Sequence, residues 1–123
     1  MNGSFRPPIV PAAWDIVTVD FPYADQAMSR KRPALVLATY AVQARFSVAW
    51  LLMITSARHS RWPGDVAVTD LARAGVSRPC YVRTEKIATV DARFIDLIGH
   101  LTPADCVEVR GHFDRLLGPV LSH

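Results

Sequence analysis

Two short, uninterrupted apolar runs constrain this chain more than anything else in it: residues 33–39, PALVLAT, and residues 47–55, SVAWLLMIT. Neither alternates polar with apolar, and both are short, so they read as central strands covered on both faces. Residues 15–21, DIVTVDF, set Ile16, Val17 and Val19 among polar neighbours, which marks a half-buried strand that Pro22 ends. Further strands are expected at 66–68, 80–82, 87–90 and 98–101. Residues 70–75 leave room for a turn or two of helix, closed by Gly75. Toward the end the period changes. Cys106, Val109, Phe113, Leu116 and Leu117 recur at helical spacing, behind a start at Thr102 and Pro103 and ahead of a stop at Gly118 and Pro119. Asp105 suits the positive end of that helix, and Gly111 weakens its middle. Many short strands followed by one helix, without βαβ alternation or internal repeats, predict a mainly β domain, a small twisted barrel.

A chain of 123 residues has room for one modest core, so residues 14–123 are expected to form a single domain. Ahead of it, residues 1–13, MNGSFRPPIVPAA, carry three prolines and no apolar core of signal-peptide length, and read as an extended arm. The longest uncharged apolar run, 47–55, is about half of what a membrane-spanning helix needs. No membrane association and a cytoplasmic location are the expectation. Cys80 and Cys106 are too few and too far apart for a disulfide framework or a zinc site, and read as buried thiols; no metal or other cofactor is expected. The net charge is only +3, but of fourteen Lys and Arg just Lys31 and Lys86 are lysine. Arginine binds phosphate with a planar fork and stacks on bases, so this bias suits a nucleic-acid partner.

Two segments cannot bury themselves. Residues 23–31, YADQAMSRK, and 56–65, SARHSRWPGD, are polar, basic and rich in turn formers, and read as surface loops beside the central strands. Arg30, Lys31, Arg58 and Arg61 lie on them, each either a phosphate ligand or a plain surface charge.

The sequence resembles a known family in three blocks. DIVTVDFPYADQAMSRKRPALVLA, residues 15–38, is similar to the first signature of PemK/MazF-type toxins: D-I-V, then D-F-P, then a basic loop ending in R-P and an apolar strand. MITS at 53–56 with WPGDV at 62–66 resembles a second block. AGVSRPCYVRTEKIATVD at 74–91, followed by IGHL at 98–101, resembles the later strands and the approach to the last helix. Their order and spacing cover nearly the whole chain after the arm. Two positions depart from the pattern: Trp14 stands where a glycine usually precedes D-I-V, and Met28 where a small residue is common.

The resemblance implies an SH3-like barrel of the PemK/CcdB type, usually a homodimer, with short helices and a C-terminal α-helix. It implies the toxin of a type II toxin–antitoxin pair that inhibits translation and growth by cutting single-stranded RNA (mRNA), with sequence preference and without a metal, into 2′,3′-cyclic phosphate and 5′-OH ends. The implied partner is a cognate antitoxin whose acidic or disordered segment covers the basic groove, with DNA binding through that antitoxin left open. The family's catalytic arginine maps onto Arg32 and its catalytic threonine onto Thr55. Residues expected to contact RNA are Asp25, Arg30, Lys31, Ser56, Arg58, Trp62, Arg83 and Lys86.

The chemistry agrees with that pair. As a ribose 2′-OH attacks the adjacent phosphorus, charge grows on the non-bridging oxygens, and a fixed guanidinium stabilises it. Thr55 can donate a hydroxyl hydrogen bond to the same phosphate and, being β-branched, holds it in few rotamers. Guanidinium hardly deprotonates, so Arg32 is expected to act electrostatically. A general base, if one exists, is Asp25, Glu85 or His59; His100, His112 and His123 are too scattered to propose. Trp62 either stacks on a base or packs under its own loop, and Arg83 and Lys86 either face RNA or pair across strands with Glu85 or Asp91. Competing functions are a CcdB-like toxin that holds a protein target such as gyrase, and a nucleic-acid-binding module without catalysis; neither needs Arg32 with Thr55.

Overall fold

A computed structural model describes residues 10–20 and 31–122, so the first nine residues of the arm and most of the first basic loop lie outside it. Its strands are β1 (Asp15–Asp20), β2 (Lys31–Gln43), β3 (Phe46–Ser56), β4 (Asp65–Ala67), β5 (Cys80–Asp91) and β6 (Ile95–His100). Helix α1 (Leu71–Ala74) lies between β4 and β5, a 3₁₀ turn (Ala92–Phe94) joins β5 to β6, and α2 (Pro103–Leu121) ends the chain. The strands form one antiparallel sheet in the order β4-β5-β3-β2-β1-β6. The mainly β architecture with a terminal helix is as the sequence predicts.

The expected barrel is not closed: β4 and β6 end the sheet without pairing to each other. Instead the sheet curls. Its central strands bury both faces, which explains why their sequences do not alternate. Ile16, Leu35, Leu52 and Ile54 pack under α1 and α2 through Ala74 and Val109, while Val17, Val19, Val36, Leu51 and Met53 form a second cluster on the other side. That second cluster takes in Ile95 of β6 together with Ala88 and Val90 of β5, so strands far apart in the sheet approach across it.

The strand expected at 98–101 is β6, which starts earlier, at Ile95; three further boundaries differ, each for a local reason. The strands expected at 80–82 and 87–90 are one strand. The register with β3 passes from Ile54↔Val82 to Leu52↔Ile87, so residues 83–86 face Met53 alone in a wide bulge. Strand β2 runs past residue 39 to Gln43, as one arm of a hairpin with β3. Helix α2 continues through Gly118 and Pro119 to Leu121. Pro119 removes one bond in the last turn, and the Ser122 N–H and hydroxyl both donate to the Gly118 carbonyl, at 3.0 and 2.6 Å.

The Gly75 end of α1 and the Thr102 start of α2 are fixed as their sequence suggests. Asp70 accepts from the Arg73 N–H, and Gly75 closes α1 at φ 77°. Gly75 lies so close to the Ile98 carbonyl that a Cβ there would collide with it. Thr102 caps α2 by accepting from the Asp105 N–H at 3.1 Å. The buried Asp105 carboxylate in turn takes the N–H and hydroxyl of Thr69, tying α2 to the segment before α1.

Trp14 has φ 75°, a backbone that favours glycine, which accounts for the glycine usual at this place in the resembled pattern. Two hydrogen bonds hold it there: its N–H donates to Val36 at 2.8 Å and its carbonyl accepts from Leu101 at 3.2 Å. Its indole packs against the helix-covered core.

Candidate functional site

The ladder between β2 and β3 pairs Ala34 with Met53 and Leu35 with Leu52. The ladder ends there: Arg32 lies two residues before Ala34 on β2, paired with Val19 of β1, and Thr55 two residues after Met53 on β3, paired with Tyr81 of β5. The two residues sit at strand ends where the first basic loop returns to the sheet and the second leaves it.

Both line one open cleft of about 1120 Å³. Its walls come from Lys31 to Pro33 of β2, Ile54 to Ser56 of β3, Arg58 and His59 beyond β3, the link 75–79 after α1, Cys80 of β5, Thr18 of β1 and Ile98 of β6. Four cations therefore share the cleft: Lys31, Arg32, Arg58 and Arg78. Among the described residues no carboxylate lines it. The one ion pair made by these cations to a described residue is Lys31 with Asp96 at 3.8 Å, between side chains largely in water, where such pairs contribute little. The cleft is therefore cationic, with a hydroxyl pair, Thr55 and Ser56, at its β3 wall. Burial pushes the Cys80 thiol up, so it stays protonated and serves as wall rather than nucleophile. Among the described residues no three His, Cys, Asp or Glu side chains come together as a metal site would need.

Beyond Thr55 the chain turns back on itself. The Ser56 hydroxyl accepts from the Arg58 N–H at 3.2 Å, the Ser56 carbonyl accepts from the His59 N–H at 3.1 Å, and Ala57 donates to the Pro79 carbonyl at 3.0 Å. That turn keeps Arg58 and His59 beside the strand end, and the Ala57 bond ties the loop to the segment carrying Arg78.

The expected RNA contacts divide. Lys31, Ser56 and Arg58 share the cleft with Arg32 and Thr55; Asp25 and Arg30 lie outside the described residues. Trp62, Arg83 and Lys86 do not line the cleft. The reading of Arg83 as facing RNA is corrected, because its guanidinium is buried: Nε donates to Asp65 Oδ1 at 3.0 Å, and Nη2 donates to Asp65 Oδ2 at 2.9 Å and to the Ser60 carbonyl at 2.8 Å. Its other expected pairing, with Glu85 or Asp91 across strands, is not the one it makes. Trp62 is part of the same clamp, with the Arg83 guanidinium 4.0 Å from its ring centre and its N–H donating to Asp65. Burial pushes the Asp65 carboxyl up, but bonds from Arg83 and the Trp62 N–H, with the charges of Arg83 and Arg61, outweigh it and hold the carboxyl below the usual range.

Two further corrections concern neighbours of that clamp. Arg61 is turned from the cleft, donating to the Asp65 carbonyl at 3.2 Å and lying 5.0 Å from the Tyr81 ring centre. Glu85, one candidate base, is engaged elsewhere: its carboxylate accepts the Gly64 N–H at 2.9 Å, while Thr84 donates to the Gly64 carbonyl at 2.7 Å. Lys86 is exposed on the β5 bulge. Sequence reasoning missed Arg78, whose only local signal is the Pro79 behind it, an extended pair that holds the arginine at the approach to a strand.

Residues 12–117 match the family described as PemK-like, MazF-like toxin of type II toxin–antitoxin system. The fold is similar to that of solved structures. MazF from Deinococcus radiodurans (Form-I) is 27% identical at a TM-score of 0.66, over 90% of this chain and 99% of that one. MazE-MazF (Form-II) from the same organism is 24% identical at 0.65, over 90% and 98%. An endoribonuclease in complex with its cognate antitoxin from Mycobacterial species is 17% identical at 0.64, over 88% and 95%. No curated protein matches the chain.

Proposed function

The chain belongs to the PemK-like, MazF-like toxin family of type II toxin–antitoxin systems, and on that premise we propose that it is an endoribonuclease cutting single-stranded RNA, with sequence preference and without a metal, through Arg32 and Thr55. The observation that carries the reading is that Arg32, near the start of β2, and Thr55, near the end of the neighbouring β3, line one cationic cleft. A mycobacterial relative in fold is described as an endoribonuclease bound to its cognate antitoxin, which agrees with that activity and with an antitoxin partner here.

In the proposed reaction O2′ bonds to phosphorus as the P–O5′ bond breaks, the 2′-OH loses its proton and O5′ gains one. The ends are a 2′,3′-cyclic phosphate and a 5′-OH. Arg32 stabilises charge on the non-bridging oxygens, which is greater in the transition state than in the ground state. Thr55 donates to the same phosphate, and Lys31, Arg58 and Arg78 hold the flanking backbone. Single-stranded RNA is the substrate favoured, because its unstacked bases and splayed backbone can enter a cleft open on one side.

An antitoxin with an acidic segment would occupy the same cations and exclude RNA. Exposed Tyr40, Trp50 and Ile87, with Leu116 of α2, offer apolar surface for the pairing of two copies that the family resemblance implies; sedimentation of the purified protein tests it. A CcdB-like or merely RNA-binding role is separated from catalysis by incubating the protein with long single-stranded RNA in EDTA and examining the new ends. Cleavage by wild type that Arg32→Ala and Thr55→Ala both weaken is the expected result. Intact RNA, or cleavage only with magnesium, would overturn the reading.

A further inference from the structure

The reaction just described leaves its protons unassigned, and neither member of the pair can carry them. Guanidinium stays protonated in proteins, and an alkyl hydroxyl does not act as a base near neutrality. The described residues of the cleft narrow the choice. Lys31, Arg32, Arg58 and Arg78 are cations, Cys80 is a thiol that burial pushes up, and no carboxylate is present. His59 is the one imidazole among the described residues lining the cleft, and imidazole is the side chain most used for proton transfer.

Resting on the ribonuclease reading, we propose that His59 is the general base that takes the proton of the attacking 2′-hydroxyl. The turn beyond Thr55 supports it, because the bond from the His59 backbone N–H to the Ser56 carbonyl at 3.1 Å folds residue 59 back beside the strand end that carries Thr55, and His59 lines the cleft with it. Of the two carboxylates expected as alternatives, Glu85 is occupied by the Gly64 N–H and lies outside the cleft, and Asp25 lies outside the described residues. Among the described residues, the charged groups that share the cleft with His59 are Lys31 and Arg32 from β2, Arg58 from its own loop and Arg78 from the link before β5. The step balances as follows. His59 takes the 2′ proton as the O2′–P bond forms and P–O5′ breaks; O5′ takes a proton from water; and the imidazolium returns its proton to the hydroxide so formed.

The test measures kcat/KM between pH 5 and 9 in EDTA, on a short RNA of the cleaved sequence, for wild type, His59→Gln and His59→Ala. Wild type should rise with pH along an acid limb to a plateau. His59→Gln should lose about 10²–10⁴-fold on the plateau and should lack that limb. Added imidazole should restore part of the activity of His59→Ala, a rescue that a merely structural histidine would not give. A His59→Gln profile parallel to wild type, or His59→Ala that imidazole does not rescue, overturns the assignment while leaving Arg32 and Thr55 in place. Wild type that cuts no RNA overturns the ribonuclease reading and this one with it.

Discussion

Arg83 and Asp65 meet as a two-pronged pair, Nε to Oδ1 at 3.0 Å and Nη2 to Oδ2 at 2.9 Å, with the arginine side chain 9% exposed and the carboxylate not exposed at all. Eighteen residues separate them in sequence, and the pair holds the second basic loop to the β5 bulge. Losing one partner strands the other's charge in a dry setting, which costs about 3–5 kcal/mol. Asp65→Ala and Arg83→Ala should each lower the urea-unfolding free energy by that order, while Asp65→Leu with Arg83→Met should cost less than either. Equal losses in all three would show that packing, not charge, dominates.

The same carboxylate gives a pH dependence. Its folded pKa lies below the unfolded value, so its stabilisation is complete above the ordinary carboxylate range and is lost as pH falls through that range toward the folded pKa. Unfolding free energies measured at pH 7 and pH 3 should show a smaller acid loss in the Asp65→Leu, Arg83→Met protein than in wild type.

At the proposed site the two residues should differ in weight. Arg32→Ala removes a charge aimed at the transition state and should lower kcat by about 10²–10³-fold. Thr55→Val keeps the shape and removes one donor to a charged phosphate, worth about 1.5–3 kcal/mol, so about tenfold to a hundredfold. Single-turnover cleavage at saturating protein reads both. Activity surviving both changes would move the chemistry elsewhere in the cleft.

Lys31, Arg58 and Arg78 should act through affinity instead. Each phosphate contact to a single strand contributes about 0.7 to the slope of log K against log salt, so Arg58→Gln and Arg78→Gln should each flatten that slope by about this amount. Arg61→Gln, whose guanidinium faces away from the cleft, should leave it unchanged. Fluorescence titration of a labelled RNA over a salt series measures it.

Gly75 combines a left-handed backbone with contact against the Ile98 carbonyl. Gly75→Ala should destabilise the fold by about 1–3 kcal/mol, read by thermal or urea unfolding.

What could be read from the sequence depended on how locally each feature is determined. The apolar runs of β2 and β3, the Thr102 cap and the Gly75 stop are set by neighbouring residues, and all stand where expected. Arg32 and Thr55, which line one cleft, were legible only through the family resemblance, since a strand-end position alone marks neither. Arg83 was not. Its burial depends on Asp65, and the bulge that carries it depends on Gly64 taking both Thr84 and Glu85. Nor did sequence spacing reveal Arg78, which reaches the cleft because Ala57 and Pro79 are joined by a backbone bond.

The unclosed sheet carries a consequence for how the molecule lives among its copies. An open sheet offers free N–H and C=O rows on which a strand from another chain can be templated. Here one rim, β4, is only three residues long, and the other, β6, carries Asp96 and His100 among six. A rim so short, and a rim bearing charge, make poor seeds for strand-by-strand growth. The chain can leave its barrel ajar without inviting fibres.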